Sequence, residues 1–314
     1  MSTDLNRTIG VWLLSMWFQS LFQGCGLLQG WLYFHWYKND SWGIRAMVSA
    51  ILAIETAQII IFFQMTYVYL IDGFGDLNGL TYIHWEGMAQ LGATYISAFI
   101  VQMYFAYCVY VLNRDDKFSA GLIVVLALLQ ISSGIAEITS ISIHLGTFEA
   151  LSKPNIITAH TIQSAAACLC DFAITASLVL KLGRHKGNMK STDTLLHTLT
   201  INIINRGMLT AVCALVNLIL FVARPGTLYF FIGLESSGKL YMNSALATLN
   251  SRQHITKKAY ENRKTDWNSL AMSNMGSPSV ANEDHRVRVV VTQESHSDLD
   301  MPGDKKPSFM DGMI

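Results

Sequence analysis

Apolar runs of more than twenty residues recur along the chain with short polar gaps between them. Seven are long enough for a helix to cross a bilayer: 9–33, 44–71, 87–112, 118–145, 156–180, 195–223 and 227–249. At about 1.5 Å of rise per residue, each covers the roughly 30 Å of hydrocarbon core. A soluble protein of this length would show alternating apolar and polar faces, which these runs lack. All five prolines fall outside the runs. Pro154 and Pro225 stand just before the fifth and the seventh, where a missing N–H costs little. The stretch 191–194, STDT, offers hydroxyl and carboxylate caps before the sixth. Beyond Asn250 the pattern stops, and residues 253–314 are charged and carry Ser, Asn, Gly and Pro. The expected fold is all-α: a polytopic seven-transmembrane-helix bundle over 1–252, followed by a disordered cytoplasmic tail over 253–314.

Composition agrees with lipid as the principal partner. Only 14% of the residues are charged, against about a quarter in ordinary soluble domains, and 51% are hydrophobic. A net charge of zero excludes a global field for nucleic acid. The five cysteines all lie inside apolar runs, so no disulfide framework is expected. Cys168 and Cys170 would point about 200° apart on a helix and make a poor metal pair. The N-terminus lacks a basic region and a cleavage site, so the first run is expected to remain as a span.

Lys and Arg near the run ends, counted as far as Lys264 after the last run, divide thirteen to three between the two sides, which predicts an outside N-terminus and a cytoplasmic C-terminus, with the plasma membrane as the expected location. On that orientation the sequon at Asn39 is cytosolic, and the one at Asn6 lies too close to the membrane for efficient glycosylation. Aromatics crowd the run ends, including Trp31, Trp36, Trp42, Tyr82 and Trp85, as an interfacial belt does.

Candidate chemistry sits in the ionisable residues within the runs, where charge is expensive and faces the bundle interior or a cavity. These are Glu55, Glu137, Asp171, Arg206, Glu235 and Lys239, with His144, His160 and His197 nearer the ends. Arg206 lies within snorkelling reach of the inner interface and reads as structural. On the seventh helix Glu235, Ser236, Lys239, Asn243 and Asn250 fall within an arc of about 100°. Ser237, Ser244 and Thr248 form a small-residue stripe roughly opposite, so this helix should be central.

Glu235 and Lys239, spaced i, i+4 with the acid first, predict a helical ion pair. Such a pair either fixes packing with Asn243 or offers a cationic anchor for an acidic ligand. It would equally serve a proton or ion path with Glu55, Glu137 and Asp171. Those six residues are the candidate ligand-binding set. A lysine at this place carries retinal in rhodopsins, but the third run has no mid-membrane carboxylate for a counter-ion. No cofactor and no metal are expected. The absence of G-x-S-x-G, H-E-x-x-H, Walker and G-x-G-x-x-G motifs in a suitable context argues against an enzyme.

The segments GTFEALSK (146–153), CDFAITASLVLKL (170–182), KSTDTLLHTLTINIINRGMLTAV (190–212) and GKLYMNSALATLNSR (238–252) resemble a large fungal family of seven-helix membrane proteins. That family is abundant in basidiomycetes and has no established function. The resemblance spans about residues 10–252 and implies the seven-helix fold and a membrane location. It places Asp171, Thr192, Asp193, Gly207, Lys239, Tyr241, Asn243 and Asn250 in a family pattern, from which Arg206 and Glu235 depart. The function expected from topology is a receptor or sensor with a small ligand or a cytoplasmic partner of the tail. The alternative is a small-solute or proton transporter or channel that uses the intramembrane acids and Lys239.

Overall fold

A computed structural model describes residues 9–76, 79, 82–112, 114, 116–143, 147–184, 207, 209–220, 223, 229 and 232–252. Several expectations fall outside the described residues: the Asn6 sequon, His144, the caps at 191–194, the start of the sixth run with His197 and Arg206, and the tail 253–314.

Helices make up 91% of what is described. They are α1 (Ile9–Trp36), α2 (Trp42–Tyr67), α3 (Trp85–Leu112), α4 (Lys117–Ile143) and α5 (Pro154–Arg184), then α6 (Leu209–Leu220) and α7 (232–252). The first five are long and apolar enough to cross a membrane. Several run past the apolar pattern, because a helix continues into the interface once its backbone bonds are made. Thus α1 extends through His35, which stacks on Trp31 at 5.4 Å, and α5 begins on Pro154, whose fixed φ suits a first turn. At its far end α2 widens into a π turn, Val68–Asp72, closed by Gly73 N–H donating to the Val68 carbonyl at 2.8 Å. Gly75 follows with φ of +86°, a conformation that only glycine adopts freely.

Consecutive helices from α1 to α5 pack against each other, and α3 also touches α5. Half of α3's apolar window is buried, the largest share among the five, so α3 runs through the interior. Along α7 only Ala247 is exposed, which makes α7 central as its polar face required.

The exterior is apolar: Trp17, Leu28, Ile60, Phe63, Leu128 and Phe172 are each half or more exposed. The interior carries buried glutamines, glutamates and a lysine. Water would penalise that distribution and lipid favours it, since backbone and polar side chains must find partners inside.

Two apolar clusters divide the core. One gathers Trp12, Phe62, Met65, Tyr95, Ile141 and Leu234, and the other Tyr33, Val48, Phe105, Ile123, Cys170 and Leu249. Polar side chains are buried on α1 to α5 and on α7: Gln19 and Gln23 on α1, Glu55 and Gln58 on α2, Gln90 and Thr94 on α3, Gln130 and Glu137 on α4, His160 and Gln163 on α5, Glu235 and Lys239 on α7. A polar layer therefore crosses the bundle between apolar layers.

Candidate functional site

The centre of that layer is Lys239. Its Nζ lies 2.6 Å from Glu55 Oε2, 2.7 Å from Gln58 Oε1 and 2.9 Å from the Glu55 carbonyl. An ammonium has three N–H donors, and all of them are taken by α2. Lys239 and Glu55 are both 0% exposed. Glu55 and Gln58 stand three residues apart on one face of α2, so a single side chain from α7 reaches both. Gln58 then passes the network to α3, donating to Thr94 Oγ1 at 2.8 Å, while Gln90 donates back to the Gln58 carbonyl at 2.7 Å. Gly238 allows the approach: a Cβ there would lie 2.7 Å from Glu55 Oε1.

The expected helical pair between Glu235 and Lys239 is corrected by this geometry. Glu235 accepts from Gln19 Nε2 of α1 at 2.6 Å, and Lys239 pairs across to Glu55. The reason is tertiary: α2 offers three converging acceptors where a helical neighbour offers one carboxylate. Asn243, one turn beyond Lys239, donates to the Phe22 carbonyl at 2.9 Å and to the Lys239 carbonyl at 2.8 Å, and accepts from Gln29 at 3.2 Å. Its role is to tie α7 to α1. At the expected inner end, Arg252 pairs with Asp40 at 2.5 Å and lies over the Tyr37 ring at 4.4 Å, locking α7 to the α1–α2 turn.

The other candidates form separate clusters. Glu137 on α4 accepts from the Tyr95 hydroxyl at 2.7 Å and contacts His160 Nδ1 at 2.9 Å. His160 Nε2 stands 3.4 Å from Ser164 Oγ, one turn along α5. Asp171 accepts from the Tyr241 hydroxyl at 2.8 Å, joining α5 to α7. The six candidate residues thus belong to four polar groupings rather than one pocket: Lys239 with Glu55 and Asn243, Glu235 with Gln19, Glu137 with Tyr95 and His160, and Asp171 with Tyr241.

Gln19, Gln58, Tyr95 and His160 complete the clusters, and sequence reasoning passed over the first three and left His160 near a helix end. Spacing carried a signal: Glu55 and Gln58 at i, i+3, and Gln19 and Gln23 at i, i+4, repeat polar residues on one face of otherwise apolar helices.

A cavity of about 30 Å³ opens among α3, α4, α5, α6 and α7, with Thr94, Gln130, Gln163, Ser164, Asn217 and Tyr241 among its lining. That is room for about two waters. Tyr95 and Ser164 connect its wall to the Glu137–His160 cluster. Among the described residues, no group of three or more His, Cys, Asp or Glu gathers to hold a metal. Cys170 is buried, its Sγ 3.7 Å from the Ile123 carbonyl, and Cys168 is half-buried.

Five apolar spanning helices with a polar interior and an apolar exterior point to a membrane-embedded, all-α protein. Within it, residues 167–254 match a family described as "Family of unknown function (DUF6534)". That stretch includes Asp171, Glu235, Lys239, Tyr241 and Asn243, so the α7 side of the clusters lies inside the matched region and Glu55, Gln58 and Glu137 lie outside it. No curated protein and no solved structure matches the chain.

Proposed function

We propose that the chain is a receptor-like or sensor membrane protein of seven spans, with an outside N-terminus and a cytoplasmic tail, resident in a fungal plasma membrane. The supports for seven spans are α6 and α7 beside the five long helices, and the thirteen-to-three division of Lys and Arg supports the orientation.

One observation carries the sensor reading over transport through Lys239: its ammonium is fully enclosed and has all three donors satisfied within the protein. A group so held joins helices and stores a defined conformation, and a partner that shifts the helices changes those bonds together. The ligand is a small molecule of unassigned chemistry, or the partner a cytoplasmic protein that reads the tail.

The test is reconstitution in liposomes with a panel of small acidic and neutral metabolites. Ligand-dependent stabilisation without flux supports a receptor, and flux abolished by Asp171→Asn or Lys239→Met overturns it. Transport of protons or a small solute is the second reading, favoured by the Glu137–His160 pair beside the cavity. Acidification of liposomes that depends on His160 would establish it.

A further inference from the structure

The charged side chains where α1, α2 and α7 meet do not balance. Lys239 commits its N–H groups to Glu55 and Gln58, leaving none for the second carboxylate, Glu235. Glu235 is 1% exposed and receives one donor, Gln19 Nε2. An ionised Glu235 would place a surplus negative charge between two apolar layers, which desolvation penalises heavily.

Among the described residues no donor reaches Glu235 Oε1, and none reaches Oε1 of Gln19, a residue with 0% exposure. Both orphaned atoms are acceptors, and they belong to the two groups already joined by the Gln19 Nε2–Glu235 Oε2 bond. One proton answers both deficits. On Glu235 Oε1 it removes the surplus charge and supplies a donor for the amide oxygen, completing a two-point pair between a carboxylic acid and an amide.

We infer that Glu235 and Gln19 form a proton-binding site at the α1–α7 contact. Binding adds H⁺ to the carboxylate and changes no other covalent bond. The charged and titratable groups around the site are Lys239 on α7, Glu55 on α2 and Tyr95 on α3. Tyr95 is committed to Glu137 of α4, which in turn holds His160 of α5, and α6 brings Cys213, whose carbonyl lies near Gly233. Release of the proton sets a second anion beside Lys239 in competition with Glu55. Proton occupancy is thereby coupled to the α2–α7 bond. The inference rests on neither the receptor nor the transporter reading.

The experiment is infrared spectroscopy of the full chain in lipid nanodiscs at neutral pH and without sodium, comparing wild type with Glu235→Gln and Gln19→Leu. The expected result is a carboxylic-acid carbonyl band present in wild type, absent in Glu235→Gln, and shifted in Gln19→Leu by loss of the amide bond. Where Glu235→Gln fails to fold, Gln19→Leu carries the test alone, and an unshifted band overturns the site. Identical acid bands in wild type and Glu235→Gln also overturn it. So does a wild type that lacks the band and is stabilised by sodium chloride over choline chloride, which would assign the place to a metal cation.

Discussion

Replacing Lys239 by methionine keeps most of the side-chain length and removes only the ammonium. Glu55, 0% exposed, is then a buried carboxylate without its cation, and Gln58 Oε1 loses the donor that stood 2.7 Å away. Breaking a buried pair by removing one partner costs about 3–5 kcal/mol. The orphaned amide oxygen adds about 1 kcal/mol, because interhelical hydrogen bonds in membranes sit at the low end of their range. At about 2–4 °C per kcal/mol for a domain of this size, the sum predicts a fall in Tm of roughly 8–24 °C.

Adding Glu55→Gln to Lys239→Met removes the stranded charge and should recover most of the loss, leaving about 1–2 kcal/mol. Adding Glu235→Gln to Lys239→Met should recover little, since Glu235 is bonded to Gln19 and not to Lys239. The assay is a double-mutant cycle by thermal unfolding in detergent, with all variants purified in parallel. If Lys239→Met melts within about 3 °C of wild type, or if Glu235→Gln rescues it and Glu55→Gln does not, the cross-helix pairing described above is wrong.

Gly134→Ala should destabilise by about 1–3 kcal/mol, because the new Cβ would lie 2.4 Å from the Tyr95 ring and push its hydroxyl off Glu137. Tyr95→Phe in that background should then cost less than in wild type, as melting curves of the two series will show. Tyr241→Phe strips the buried Asp171 of a 2.8 Å bond and should cost about 1.5–3 kcal/mol in the same assay, so an unchanged Tm would refute the α5–α7 link. Outside the spans, the Ser119 hydroxyl and amide hold the Asp116 carboxyl below its ordinary value, with Lys181 adding to the effect. The stabilisation from Asp116 is therefore present above the ordinary carboxylate value and lost as pH falls through the lowered one, and Ser119→Ala should move the midpoint upward in an NMR titration.

The long helices were legible because length and apolarity are properties of each run alone. Their ends were less so: α1 extends to Trp36 and α5 to Arg184, past the expected limits at 33 and 180, since interfacial aromatic and basic side chains do not stop a helix. The identities of the buried charged residues were legible for the same reason that charge is conspicuous in an apolar run. Their pairing was not. Whether Lys239 meets Glu235 four residues away or Glu55 on another helix depends on how α2 and α7 are rotated about their axes, and a single apolar run leaves that rotation undetermined. Neutral partners such as Gln19 and Gln58 stayed hidden because an amide in a membrane helix is unremarkable until its neighbour is known.

The arrangement of bonds constrains any motion the protein makes. Three α7 side chains reach three different helices: Glu235 to α1, Lys239 to α2, Tyr241 to α5. A displacement of α7 alone would break the bonds of all three side chains at once, each with a desolvated group left behind, and their sum exceeds what a weakly binding ligand supplies through differential affinity. Motion that is affordable must keep most of these bonds and exchange one. The Glu235–Gln19 contact is the place for it, because two of its atoms lack donors and because a proton there sets how many anions Lys239 must serve. A single proton can then shift the α1–α2–α7 junction without opening it to lipid, which is the kind of differential contact that both a sensor and a transporter require.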